Sequence, residues 1–203
     1  MNFITIGNVT LPGNIAAAVV AIFLAPLFLK AATKNKTGDW YWNVFFLFFL
    51  IAKLSYALFN WTTFIKSPVA LLYFDGGSRG VVLGLIAVLS YLFWLAKKGQ
   101  FNSYSEGFPL FHFFCLAFLA ADSAIAKSWP ASAVYFLLLV GTLFLIYRQK
   151  KLDIQLFLLL VITEVLGLSV FGALFDLESL AILSGGLFVV WIGYLFREDV
   201  SFE

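Results

Sequence analysis

The chain has 203 residues, of which 63% are hydrophobic and 12% are charged, and its formal net charge is +2. Soluble domains carry about 25% charged residues, so this composition excludes a water-soluble globular protein. A net charge this small, without a basic patch, also excludes a nucleic-acid partner. The mean hydropathy of +0.98 indicates an integral membrane protein instead.

Seven apolar stretches follow one another along the chain, each close to the roughly 20 residues that a helix needs to cross a bilayer. They cover residues 15–32, 40–61, 80–95, 108–126, 131–147, 154–175 and 181–196. Residues 1–14 contain no lysine or arginine, so we expect the first stretch to remain as a span rather than to be removed as a signal peptide. Runs such as residues 45–50 are apolar on every face, which favours helices over strands. We therefore predict an all-α polytopic transmembrane helical bundle that forms a single domain over residues 1–203.

The basic residues are distributed unevenly between the connectors. If the N-terminus is outside, the inner connectors contain Lys30, Lys34, Lys36, Lys97, Lys98, Arg148, Lys150, Lys151 and Arg197. The outer connectors then contain only Lys66, Arg79 and Lys127. Because cytoplasmic loops are enriched in lysine and arginine, we predict an outside N-terminus and an inside C-terminus.

One outer connector contains an apolar segment, residues 67–74, that is too short to cross the bilayer. Pro68 suits the first turn of a helix, so we predict a short helix lying at the outer interface. The glycine-rich residues 75–80 are expected to form a flexible elbow before the third span.

Charged residues inside the spans are the strongest indication of a site: Lys53, Asp122 and Glu164, with Arg79 at the outer end of a span. A charge in mid-span costs about 2.5–3.5 kcal/mol, so each needs a partner, a cavity or a function. We expect Lys53, Asp122 and Glu164 to meet in one interior space. Two interpretations stay open. Lys53 forms a purely structural ion pair with an acid, or the residues line a cavity for an anionic lipid head group. A proton or ion pathway is a third, although two acids are few for one.

His112 is the only histidine and Cys115 the only cysteine. His112 lies about one turn inside the inner boundary of its span, away from the charged residues, so we expect a packed, hydrogen-bonded side chain. Cys115 is expected to be a small core residue. One histidine and one cysteine are too few ligands for a zinc site, so the sequence assigns no metal, no cofactor and no catalytic residue.

Residues 52–84 have a pattern specific enough to suggest a family. They read Ala-Lys-Leu-Ser-Tyr-Ala-Leu-Phe at 52–59, a proline-initiated apolar stretch at 68–74, Asp-Gly-Gly-Ser-Arg-Gly at 75–80 and Leu-Gly at 83–84. This segment resembles the prolipoprotein diacylglyceryl transferases of the bacterial inner membrane, which have Ala-Arg-Leu-x-Tyr-x-Leu-Phe and then Asp/Glu-Gly-Gly-x-Ser-x-His-Gly-Gly-x-x-Gly. A weaker similarity to the family's His-Pro and Leu-Tyr-Glu motifs lies at Trp129, Pro130 and Tyr135. The family also has seven spans in the same orientation.

The resemblance implies transfer of a diacylglyceryl group from phosphatidylglycerol to a lipobox cysteine at outer-leaflet depth. It assigns lipid head-group binding to Lys53, Tyr56, Gly76, Gly77, Ser78 and Arg79. Lys53 stands where the family has an arginine, and Arg79 lies in or next to the place of the family's histidine. Residues 121–127 lack the family's Gly-Arg-x-Gly-Asn-Phe-x-Asn signature, and Asp176 and Glu178 replace a basic residue.

We therefore expect a shortened, divergent relative of these transferases, with membrane phospholipid as its partner and with catalysis altered or lost. A non-enzymatic subunit that packs against a membrane protein partner is an alternative. A small transporter is a further alternative, disfavoured because no pair of interrupted helices in two related halves is visible.

Overall fold

The computed structural model describes residues 3–6, 9–34, 36–73, 76–149, 152–171 and 177–196. The structure is 86% helical, which confirms the predicted all-α class. Near the N-terminus the described residues include two short antiparallel strands that the sequence pattern did not indicate. Strand β1 (Phe3–Ile6) pairs with β2 (Val9–Pro12), with Phe3 opposite Pro12.

Nine α-helices follow within the described ranges, and a π-helical turn, Ser103–Gly107, leads directly into the sixth. The bounds are α1 (Gly13–Thr33), α2 (Trp40–Phe59), α3 (Trp61–Lys66), α4 (Ala70–Tyr73), α5 (Gly77–Lys97), α6 (Phe108–Ile125), α7 (Trp129–Gln149), α8 (Ile154–Phe171) and α9 (Leu177–Leu195).

Among the described residues, six helices are long and apolar enough to cross a membrane: α1, α2, α5, α6 together with its π-helical turn, α7 and α8. Their outward faces are apolar, as at Phe46, Leu137 and Val170, whose side chains are about two-thirds or more exposed. Apolar surface on this scale requires lipid rather than water around it. The chain is therefore a multi-pass membrane protein, as the sequence predicted. The seventh predicted stretch, 181–196, falls on α9, whose apolar part, Ser179–Leu195, is shorter.

The helices fall into two compact units, residues 1–37 with 102–203, and residues 38–101. In the first unit α6 packs along both α1 and α7. A row of alanines on α1, Ala17, Ala21 and Ala25, is fully buried and allows close approach of the neighbouring helices. Phe108 and Phe113 of α6 are fully buried in the same unit.

The second unit consists of α2 and α5 with two short helices between them. The helix predicted at residues 67–74 is reduced to α4, which begins at Ala70. The preceding helix α3 ends at Lys66 because Ser67, which precedes Pro68, takes an extended conformation with φ −147°. The predicted elbow is also shorter than expected, since α5 begins at Gly77, and residues 74 and 75 lie outside the described part of the chain.

Candidate functional site

The residues assigned to head-group binding all lie on or beside α2 and α5, which run antiparallel. At one end of the pair, Asn43 Nδ2 donates to Tyr91 Oη over 3.3 Å. At the other end, the backbone N–H of Gly76 donates to the carbonyl of Ala52 over 3.2 Å. This pairing brings the start of α5 beside the C-terminal half of α2.

Glycines on α5 allow this close contact. A Cβ atom on Gly80 would lie 2.9 Å from the carbonyl oxygen of Ala52 and would collide with Ser55 Oγ, and a Cβ on Gly76 would also collide with Ser55. One turn further on, a Cβ on Gly84 would lie 2.8 Å from the Phe48 ring. Gly76 therefore has a packing role that the sequence did not assign to it, since it was predicted as a head-group ligand within a flexible elbow.

Gly77 has φ +58°, and a Cβ added there would meet no atom within 4 Å. A positive φ favours glycine, so Gly77 is explained by the turn into α5. Its neighbours Ser78 and Arg79 are exposed in the first turn of that helix.

The two predicted α2 residues differ in exposure, because Tyr56 is buried whereas Lys53 is half-buried. Arg79 lies over the ring of Phe59, with its Cζ 5.4 Å from the ring centroid, which fixes the guanidinium at the end of α2. The structure thus places the start of α5 beside the C-terminal half of α2, the half of that helix that contains Lys53 and Tyr56.

The first unit contains a second polar feature, which the sequence did not predict. His112 Nδ1 and Glu164 Oε1 lie 2.7 Å apart, and both side chains are almost completely buried between α6 and α8. His112 is packed and hydrogen-bonded as expected, but its predicted place away from the charged residues is wrong. The reason is the π-helical turn, which extends the span back to Ser103 and places His112 about 14 Å from that start. Glu164 lies about 15 Å from the start of α8, and both side chains are therefore at mid-span.

The expected meeting of Asp122 with Glu164 is not observed. Asp122 is half-buried on α6, ten residues beyond His112 and therefore about 15 Å further along the helix. Glu164 instead takes His112 as its partner. Lys53 belongs to the other compact unit.

The contact between His112 and Glu164 removes most of the cost of a lone charge in mid-span. An imidazolium beside a carboxylate and a neutral imidazole beside a carboxylic acid both have no net charge. Their outer atoms, His112 Nε2 and Glu164 Oε2, have no hydrogen-bond partner among the described residues, and neither has Thr142 Oγ1 on α7. Removing one partner of a buried pair costs about 3–5 kcal/mol, because the other is left uncompensated.

Aromatic side chains pack beside the pair. The Phe157 ring centroid lies 4.5 Å from that of His112. One turn after Glu164, a Cβ on Gly167 would lie 2.9 Å from the Tyr135 ring, so Tyr135 packs directly against α8. Among the described residues no group of three histidine, cysteine, aspartate or glutamate side chains is placed to hold a metal ion. The chemistry available to the pair is to hold a proton between two groups.

The fold and these two features define a multi-pass α-helical membrane protein. It has a glycine-packed helix pair with cationic residues at one end and a buried histidine–glutamate pair in its other unit. No protein-family model, no curated protein and no solved structure matches the chain. One signal in the sequence could have suggested the histidine–glutamate pair. The only histidine and a mid-span glutamate lie on two predicted spans that cross the membrane in the same direction.

Proposed function

We propose that this chain is a phospholipid-handling membrane protein that binds an anionic lipid head group at the end of the α2–α5 pair. The proposal depends on one observation above all. The antiparallel packing of these helices places Ser78 and Arg79 at the same end as Lys53 and Tyr56. The specific lipid we propose is phosphatidylglycerol.

The side chains at this end suit a phosphate group. Lysine supplies a compact positive charge, and arginine supplies a planar fork of donors that matches phosphate oxygens. The Arg79 guanidinium is exposed at the start of α5 and is positioned by Phe59. The hydroxyl of Ser78, which is also exposed, adds a neutral donor next to it.

We further propose that the protein has seven spans, with α9 as the seventh, an outside N-terminus and an inside C-terminus. Cations lie at the ends of α1, α5 and α7 that this topology places inside, namely Lys30, Lys97, Lys98 and Arg148. Two of them lie over aromatic rings, with Lys98 Nζ 3.8 Å from the Trp94 centroid and Arg148 Cζ 4.9 Å from the Phe144 centroid. Aromatic and basic side chains are enriched at membrane interfaces in this way. Arg79 then lies at outer-leaflet depth.

We also propose that the chain is a divergent relative of the diacylglyceryl transferases of the bacterial inner membrane, and that its catalysis is altered or lost. The family's histidine is replaced in the segment that resembles it, and His112 is buried and paired with Glu164. No described side chain at the α2–α5 end is a good base for a substrate thiol at neutral pH. We expect no transfer of diacylglyceryl to a lipobox peptide, and measurable transfer would contradict this part of the proposal.

Head-group binding is tested by removing both cations in one variant, Lys53→Ala with Arg79→Ala. Purified wild-type protein and the variant are compared for bound phosphatidylglycerol by native mass spectrometry. We expect about a tenfold loss of affinity for each cation, since about 1.4 kcal/mol corresponds to a factor of ten. The matched control is Lys97→Ala with Arg148→Ala, which makes the same change in charge at the opposite ends of helices. Equal lipid binding by both double variants would exclude the proposed site.

A further inference from the structure

The first unit has a lateral groove between α1, α6 and α7, with a volume of about 540 Å³. Small side chains of α6 and α7 line it, namely Ala117, Ala120, Ala121 and Ala133, together with the rings of Phe28 and Phe136. Ser132 also lines the groove, but its Oγ donates to the carbonyl of Ala120 over 3.0 Å. The hydroxyl is therefore already satisfied, and the groove presents an apolar lining.

The groove lies at membrane depth and reaches the end of a helix. Its lining residues on α7 run from Trp129, the first residue of that helix, to Leu139, which corresponds to about 15 Å. Half of a hydrocarbon core is also about 15 Å thick. All three helices are long and apolar enough to span the membrane, so the groove lies at the depth of the hydrocarbon core.

The mouth of the groove has the polarity of the lipid interface. Trp129 is 67% exposed there. Two residues earlier, Lys127 is exposed in the connector between α6 and α7, where its φ of 60° marks a sharp turn. Tryptophan and lysine prefer the head-group level of a bilayer. An apolar channel that ends at an indole and a cation is complementary to a phospholipid with an acyl chain below and a phosphate above.

We propose that this groove binds one acyl chain of an anionic membrane phospholipid, whose phosphate is held by Lys127. Its volume falls within the range of small-molecule sites in proteins. The small side chains leave room for the acyl chain, and the aromatic rings contact the methylene groups of that acyl chain. This binding site uses no residue of the α2–α5 pair and is independent of the head-group site proposed there.

The test adds bulk inside and outside the groove on the same helix. Ala133→Phe fills the groove, and Ala133 is exposed, so folding tolerates the larger side chain. Gly141→Phe is the matched control, since Gly141 is also exposed and a Cβ there would meet no atom within 4 Å. Both proteins are delipidated in detergent and titrated with phosphatidylglycerol, and bound lipids are counted by native mass spectrometry. We expect Ala133→Phe to bind one lipid fewer, and Gly141→Phe to bind as many as wild type.

A second pair of measurements tests the head group. Lys127→Gln should weaken binding of phosphatidylglycerol in the groove about tenfold and leave phosphatidylcholine binding unchanged. Ala121→Leu, which fills the groove from α6, should reproduce the loss seen with Ala133→Phe. Equal lipid counts in Ala133→Phe and Gly141→Phe would overturn the proposal, as would a Lys127→Gln variant that keeps its affinity for phosphatidylglycerol. The variant without Lys53 and Arg79 should keep the groove lipid, so a failure at one site is distinguished from a failure at the other.

Discussion

His112 Nδ1 and Glu164 Oε1 lie 2.7 Å apart at mid-span, although the two residues are 52 positions apart in sequence. The pair places one acidic and one basic group where neither is tolerated alone. Because each compensates the other, the two residues are expected to behave as one unit in stability measurements.

Single and double substitutions of this pair should therefore be strongly non-additive. Glu164→Leu leaves the imidazole without its partner and should destabilise the fold by about 3–5 kcal/mol. Replacing both residues, with His112→Leu and Glu164→Leu, removes the polar groups together and should cost less than Glu164→Leu alone. Unfolding in detergent micelles gives the free energies for a double-mutant cycle. Additive effects would show that the two side chains do not depend on each other.

Two buried or half-buried hydroxyls on α7 should respond in opposite directions. Thr142 Oγ1 has no hydrogen-bond partner among the described residues, so Thr142→Val should stabilise the protein by up to about 1 kcal/mol. Ser132 donates to Ala120 across two helices, so Ser132→Ala should cost about 0.6 kcal/mol, the average for such bonds in membranes. Thermal unfolding of the two variants in the same detergent provides the comparison. A destabilised Thr142→Val variant would mean that the hydroxyl has a partner.

Glycine-to-alanine substitutions should distinguish, by their effect on stability, a glycine in a close helix contact from a glycine on an open surface. Gly80→Ala places a Cβ 2.9 Å from the carbonyl of Ala52 and against Ser55, and it should cost about 1–3 kcal/mol. Gly141→Ala fills open space in α7 and should be neutral or stabilising by up to about 1 kcal/mol. Both variants are measured by chemical unfolding. If Gly80→Ala is as stable as wild type, α2 and α5 are not in the close contact described.

The proposed orientation makes a prediction for labelling in whole cells. In a Cys115→Ala background, a cysteine at Ser128 should react with a membrane-impermeant maleimide added outside, whereas a cysteine at Lys98 should react only after the membrane is opened. The reason is that the first position lies in a predicted outer connector and the second follows α5 at its predicted inner end. The reverse labelling pattern would require an inverted topology.

The helices that cross the membrane were predictable from sequence because lipid requires long apolar stretches with satisfied backbones. The start of α6 was not predictable in this way. Residues 101–107 lie between the predicted spans 80–95 and 108–126, but the side chain of Asn102 accepts from the backbone N–H of Tyr104 and Ser105 and caps a π-helical turn there. That local capping moves the start of the span by five residues and places His112 at mid-span.

The candidate site was predictable only in part. A motif placed Gly76 and Arg79 near Lys53, and the antiparallel helices do bring them to one end. The motif did not reveal that Gly76 packs against Ser55, although the four-residue spacing of Gly76, Gly80 and Gly84 is typical of closely packed helices. The partner of Glu164 was missed for a different reason: the depth of His112 was counted from residue 108, whereas the span begins at Ser103 with the π-helical turn.

The burial of Cys115, which is 1% exposed on the same helix as the fully buried His112, has a practical consequence. Each is the only residue of its kind in the chain. A thiol reagent and an imidazole reagent therefore each have one target, and both targets are shielded while α6 stays packed. The rate at which either reagent modifies the protein measures how often this central helix opens, with no engineered probe required.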